Sequence, residues 1–111
     1  ADVQYADKED DVKGGGLRHY RLALSKLTRA VRAFNARDGA LAATLHLGDL
    51  IDGNCSPPKT AEDLRCVLRA FSRLRAPALH VVGNHCLDVG RTALLGALGS
   101  QAYYTRALGS R

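Results

Sequence analysis

The strongest constraint on this chain is an alternation. Two short apolar runs, residues 41–47 and 78–82, each close on a glycine, and a stretch of helical period lies between them. In that stretch Leu64, Val67, Leu68, Phe71 and Leu74 form one apolar stripe, as a helix with a single buried face requires. A buried strand, a helix and a second buried strand in that order need a crossover, which makes the strands parallel and the connection right-handed. The pattern continues on either side. Leu17, Tyr20, Leu24, Leu27, Val31 and Phe34 predict a helix over 17–35; residues 92–98 predict a third helix and 101–107 a final strand. A first strand ends at about Asp2, so nearly all of it lies at or before the start of the chain. The expected class is α/β, a layered sheet with helices whose first strand is truncated.

Local signals set the expected boundaries. Gly14, Gly15 and Gly16 lack the pattern of a phosphate loop and read as a hinge. Pro57 and Pro58 read as loop, Thr60 with Asp63 as a capping box, and the helix that follows runs to about Arg75 before Pro77. A length of 111 residues fits one domain. No apolar run approaches the eighteen or so residues that span a bilayer. Sixteen Lys and Arg against eleven Asp and Glu give a net charge of +5, which favours anionic partners without choosing among them. The cations are not interleaved with stacking aromatics, so nucleic acid is a poor expectation. Three irregularly spaced cysteines, Cys55, Cys66 and Cys86, form neither a disulfide framework nor a CxxC zinc pair, and suggest a reducing, cytoplasmic setting.

Chemistry in open α/β sheets gathers just past the carboxyl ends of the strands. Three polar clusters are expected there: Asp2-Val3-Gln4, Gly48-Asp49-Leu50-Ile51-Asp52 and Gly83-Asn84-His85. Their carboxylate and amide oxygens suit a hard divalent ion such as Mn²⁺ or Mg²⁺ better than zinc or copper. A carboxylate such as Asp49 can bridge two ions, and such a pair activates water and grips phosphoryl oxygens during in-line displacement. The combination points to hydrolysis of a phosphoester or phosphoanhydride.

These residues resemble the calcineurin-like metallophosphoesterase superfamily, whose blocks read Asp-x-His, Gly-Asp-x-x-Asp and Gly-Asn-His-Asp/Glu. Gly48-Asp49-Leu50-Ile51-Asp52 matches the second block in full, and Gly83-Asn84-His85 matches three of the four residues of the third. With Gln4 in place of the first histidine, and Arg18-His19-Tyr20-Arg21 following, the chain looks most like the manganese-dependent ADP-ribose/CDP-alcohol diphosphatases. The resemblance implies two Mn²⁺ ions, or Mg²⁺, held in part by Asp2, Gln4, Asp49 and Asn84. It implies that Asn84 and His85 meet the substrate, that His85 stabilises charge or protonates the leaving oxygen, and that Asp52 accepts the other ring N–H of His85 and sets its tautomer. The implied substrates are nucleoside diphosphate derivatives, such as ADP-ribose and CDP-alcohols, cleaved at the pyrophosphate.

Two departures temper this. Cys86 replaces the usual acid after His85, and the downstream histidine motifs that complete both metal shells are missing, since the imidazoles are His19, His46, His80 and His85 alone. The chain is therefore expected to be the N-terminal part of a single metallophosphoesterase domain, with the C-terminal half absent and little turnover of its own. A non-catalytic phosphate-binding or regulatory module with a degenerate metal site, and another phosphodiesterase or phosphomonoesterase of the superfamily, remain alternatives. His46 and His80 are expected to be packed and hydrogen-bonded in strands, and His19 to face solvent from a helix. Tyr5 could line a pocket or pack.

Overall fold

The computed structural model describes residues 2–37, 41–102 and 104–108. Among them the order is β1 (Asp11–Lys13), β2 (Gly16–Arg18), α1 (Leu22–Asn35), β3 (Thr44–His46), α2 (Pro57–Phe71), β4 (Ala78–His80), a 3₁₀ turn (His85–Val89) and α3 (Arg91–Leu98). The class is mixed α/β, as the alternation requires. The strands form two separate pairs, β1 antiparallel to β2 and β3 parallel to β4. The parallel pair, with α2 as its crossover, is the expected strand–helix–strand unit.

The first helix begins later than its periodicity predicts. Leu17 belongs to β2 and lies 59% exposed, because Lys13 pairs with Gly16 across a two-residue turn. Gly14 and Gly15 both have positive φ, 64° and 82°, which such a hairpin turn demands of its two central residues. The three glycines are thus a hairpin and not a hinge. His19 consequently precedes α1 instead of riding on it, exposed beside Asp10 at 2.6 Å.

The second helix begins earlier than expected. Ser56 is its N-cap, accepting from the Lys59 N–H, and Pro57 and Pro58 occupy the first helical positions, where a missing N–H costs nothing. Thr60 does not cap. Its hydroxyl accepts from Asn54 N at 2.9 Å and donates to Ser56 O at 3.0 Å. Asp63, buried, accepts from Asp7 N at 3.2 Å and Asn54 Nδ2 at 2.8 Å, so the presumed capping acid ties two distant loops to α2.

α1 and α2 pack together through Leu27, Val31, Leu64, Val67 and Phe71. Asn35 clamps their ends, donating to Arg73 O at 2.8 Å and accepting from Arg75 N at 2.9 Å. Leu50 and Ile51 are fully buried under both helices and α3, each stabilising the fold by roughly 1.5–3 kcal/mol relative to exposure.

The two strands are shorter and less buried than their apolar runs suggest. Leu45 and Leu47 are 58% and 59% exposed while His46 is 5% exposed, because the pair is covered on only one face, where the ring of Phe71 meets His46 and His80. Past Asp2, where the first strand is expected to end, the N-terminal segment makes a single parallel bridge from Tyr5 to Ile51 among the described residues. Residues 101, 102 and 104–108 form no strand. Instead the Tyr104 hydroxyl accepts from His80 N and donates to His80 O, both at 3.0 Å, and so stands in for a neighbour on the edge of β4.

Candidate metal centre

β3 and β4 run side by side, with Val81 N donating to His46 O at 2.9 Å as the pairing ends. Both chains then turn on a glycine. A Cβ on Gly48 would lie 3.1 Å from Gly83 Cα, and one on Gly83 would lie 2.1 Å from Asp49 Oδ1 and 2.3 Å from Asp49 N. No side chain fits there, so the two turns touch and Asp49 lies across the second. Asp49 Oδ1 accepts from His85 N at 3.0 Å, holding the start of the 3₁₀ turn. The backbone of the N-terminal segment joins the same point, since Val3 N and Gln4 N donate to Asp49 O at 3.1 and 2.9 Å.

Two residues other than glycine have positive φ among those described: Gln4 at 47° and Asp49 at 50°. That backbone is unfavourable for a side chain larger than glycine, least so for Asp and Asn, and strain of this kind collects at functional sites. Here both strained residues share one hydrogen bond.

No family model matches the chain. Among curated proteins, it is 35% identical over 111 aligned residues to a manganese-dependent ADP-ribose/CDP-alcohol diphosphatase of Arabidopsis thaliana, covering 94% of this chain and 35% of that protein. The enzyme of that name from Oryza sativa subsp. japonica is 37% identical, with 94% and 34% covered. The one from Homo sapiens is 39% identical over 88 residues, with 77% and 26% covered. A solved structure of a dimetal phosphatase from Danio rerio superposes with a TM-score of 0.75 at 30% identity, over 86% of this chain and 31% of that one. The chain resembles the manganese-dependent diphosphatases of the metallophosphoesterase superfamily. It spans about a third of the length of the curated relatives it matches.

The other residues of the resemblance fall around this junction. Asp2 is exposed and lines, with Gln4, Arg18, Lys26 and His46, a cavity of about 630 Å³ between α1 and β3. Gln4 Oε1 accepts from Arg18 Nη1 at 2.9 Å, and an amide oxygen has a second lone pair. Asn84 precedes the 3₁₀ turn with its side chain exposed and not used as a cap; its carbonyl accepts from Leu87 N at 3.1 Å. Among the described residues, no three His, Cys, Asp or Glu side chains converge on a metal position.

Asp52 does not hold the imidazole of His85 by a hydrogen bond, as the resemblance implies. It is 2% exposed, and its carboxylate accepts from Lys8 Nζ at 2.9 Å and Arg18 Nη1 at 3.2 Å, with Lys13 Nζ at 3.7 Å. Burial alone would raise its pKa. The Lys8 hydrogen bond and the charges of Lys8, Lys13 and His85 outweigh that and hold the carboxyl below the usual range. The long cationic side chains reach Asp52 first, Lys13 and Arg18 from the hairpin and Lys8 from the segment before it. The carboxylate beside the His85 ring is Asp88, one helical turn on, with Oδ2 at 3.6 Å from Nδ1 and accepting from Gly53 N at 3.1 Å. The sequence does not single out Asp88, although its three-residue spacing from His85 carries a signal; Asp63 reads there only as a capping acid.

Cys86 is fully buried, and its sulfur accepts from Leu50 N at 3.2 Å. Replacement of the usual acid is thus felt beneath the Asp49 turn and not at the His85 ring. His46 accepts from Gly48 N through Nδ1 at 3.3 Å, while its Nε2 and Nδ1 of His80 are buried without a partner. Both are packed as expected, and one ring is hydrogen-bonded. Burial, then the neighbouring His80, lowers His46 to about 4, and burial lowers His80. Both rings are neutral at physiological pH.

Proposed function

We propose that this chain is the N-terminal part of one metallophosphoesterase domain that hydrolyses the pyrophosphate bond of nucleoside diphosphate derivatives, ADP-ribose and CDP-alcohols, with Mn²⁺. The observation that carries the reading is the junction itself, where Gly83 admits Asp49 and the Asp49 carboxylate holds the His85 backbone. Asp2, Gln4, Asp49 and Asn84 offer hard oxygen donors, which fit Mn²⁺ or Mg²⁺. Bound divalent ions would supply an activated water and neutralise phosphoryl charge.

The protein's own groups do the rest. Asp49, locked by the interlocking turns, presents its carboxylate in one orientation. Asn84 holds a phosphoryl oxygen or an ion through its exposed amide. His85, half-buried, moves a proton to the leaving oxygen, with the Asp88 carboxylate 3.6 Å from its Nδ1. Asp52 keeps Lys8, Lys13 and Arg18 in place. Free thiols at Cys55, Cys66 and Cys86 agree with a reducing, cytoplasmic compartment.

The test is turnover of ADP-ribose and CDP-choline by the full-length protein with Mn²⁺. Asp49→Asn should lower it by more than about 100-fold, beyond the loss typical of an outer-shell partner. Wild-type turnover in that variant would overturn the reading. A non-catalytic module is favoured by the absence of a three-residue metal cluster among the described residues. It predicts no turnover and no Mn²⁺ uptake by calorimetry.

A further inference from the structure

Gly53 is not among the residues with positive φ, so its backbone does not call for glycine. What it lacks is room. A Cβ there would lie 2.7 Å from Asp88 Oδ2 and 3.2 Å from Asp88 Cγ. The carboxylate that fills this space accepts from Gly53 N at 3.1 Å, so a residue of the 3₁₀ turn is fixed by the loop that follows Asp52.

Without that bond the Asp88 side chain, 44% exposed, would rotate in water. Held by Gly53, its Oδ2 stands 3.6 Å from Nδ1 of His85, and among the described residues it is the one carboxylate paired with that ring. The nearby acids are engaged otherwise. Asp49 Oδ1 accepts from the backbone N–H of His85 and not from its ring, and Asp52 accepts from Lys8 and Arg18. Cys86, in place of the usual acid, turns its sulfur to Leu50 N.

We propose that Asp88, locked by Gly53, is the positioning residue of His85. It draws the proton of the neutral ring to Nδ1 and leaves Nε2 to face the centre, since the nitrogen that carries the proton is set by the partner of the other. When the ring is charged, Nδ1–H stays on Asp88 and the Nε2 proton is the one that passes to the leaving oxygen. At 3.6 Å the contact is longer than a hydrogen bond, and catalytic contacts commonly tighten only in the complex with substrate. One carboxylate thus aligns the two strand-end segments, because Gly53 directly follows Asp52 and His85 directly follows Asn84.

What His85 does rests on the diphosphatase reading, whereas the state of its ring is measured without turnover. In full-length protein loaded with diamagnetic Mg²⁺, the ring nitrogen NMR shifts of labelled histidine report the tautomer, with His85 assigned by its loss in His85→Gln. Wild type holds Nδ1–H when the ring is neutral. Asp88→Ala releases the ring to the Nε2–H form, and so does Gly53→Ala, which displaces the carboxylate without removing it. In both, kcat for ADP-ribose with Mn²⁺ falls about 10- to 100-fold, the loss typical of a partner behind a reacting group, while KM changes by less than about twofold. Asp88 is half-exposed and the atom that Gly53→Ala obstructs ends a flexible side chain, so both variants fold, as thermal melts confirm. The Nε2–H form in wild type, a wild-type tautomer in either variant, or an unchanged kcat overturns the proposal. A ring that follows Asp88 in a protein that never turns over ADP-ribose upholds the positioning role and rejects the diphosphatase reading.

Discussion

At the junction of the two strand-end turns a Cβ on Gly83 would strike Asp49 at 2.1 Å, whereas at Gly14, Gly15 and Gly16 of the hairpin nothing lies within 4 Å. The candidate centre sits between these regions. On one side its shape is set by close packing: backbone touches backbone, Asp49 bridges to His85, and His46 and Cys86 accept the N–H groups of Gly48 and Leu50 from below. On the other it is set by turn geometry and charge alone, with Lys13 and Arg18 laid over Asp52 by a hairpin whose apolar Val12 and Leu17 stay exposed. The contrast teaches that the junction side has no room for a side chain at its glycines, while Gly16 and the exposed apolar residues of the hairpin can change without changing the fold.

The sharpest way to break this comparison is Gly83→Ala. Displacing Asp49 should cost at least about 3 kcal/mol, the upper range for overpacking, and Mn²⁺ uptake should fall with it. A variant with wild-type denaturation midpoint and metal affinity would show that the turns are not interlocked. An acid titration of stability probes the same side. With His46 lowered from 6.5 to about 4, the unfolded chain binds a proton more readily than the folded one. The stabilisation is complete above pH 6.5 and is lost as pH falls toward 4, on the order of 3 kcal/mol in all. His46→Gln should flatten that slope in denaturant melts at pH 7, 5.5 and 4.5; an equal slope in both proteins would place the acid sensitivity elsewhere.

On the hairpin side, Lys8→Met should destabilise by about 2 kcal/mol, less than a fully broken buried pair because Arg18 and Lys13 still face Asp52. It should also raise the Asp52 pKa, which an NMR carboxyl titration would detect as a change toward the ordinary value. The smallest effect belongs to Gly16→Ala, expected within about 0.5 kcal/mol of wild type because its side chain would enter open space. A loss of several kcal/mol there would put the hairpin in the same class as the junction.

The legible parts of the molecule were those with local causes. The stripe on α2 and the glycine closing each apolar run located the strand–helix–strand unit, and Gly48-Asp49 and Gly83-Asn84-His85 did meet. What escaped had long-range or ambiguous causes. Leu17 and Tyr20 kept helical spacing by coincidence, and only the pairing of Lys13 with Gly16 shows that the segment is a hairpin. The pair Thr60 and Asp63 has the spacing of a capping box but serves Asn54 and Asp7 instead. Asp52 was assigned to His85 by analogy, and three cations reach it first.

Composition, periodicity and motif spacing by themselves determined the α/β class and which oxygen-bearing residues stand at the strand ends, because these depend on neighbours a few positions apart. Which carboxylate faces which partner was decided only in three dimensions. Asp52 met lysines and Asp88 met His85, since a buried charge goes to whichever opposite group the packed backbone brings nearest, and that distance is written in no single segment of the chain.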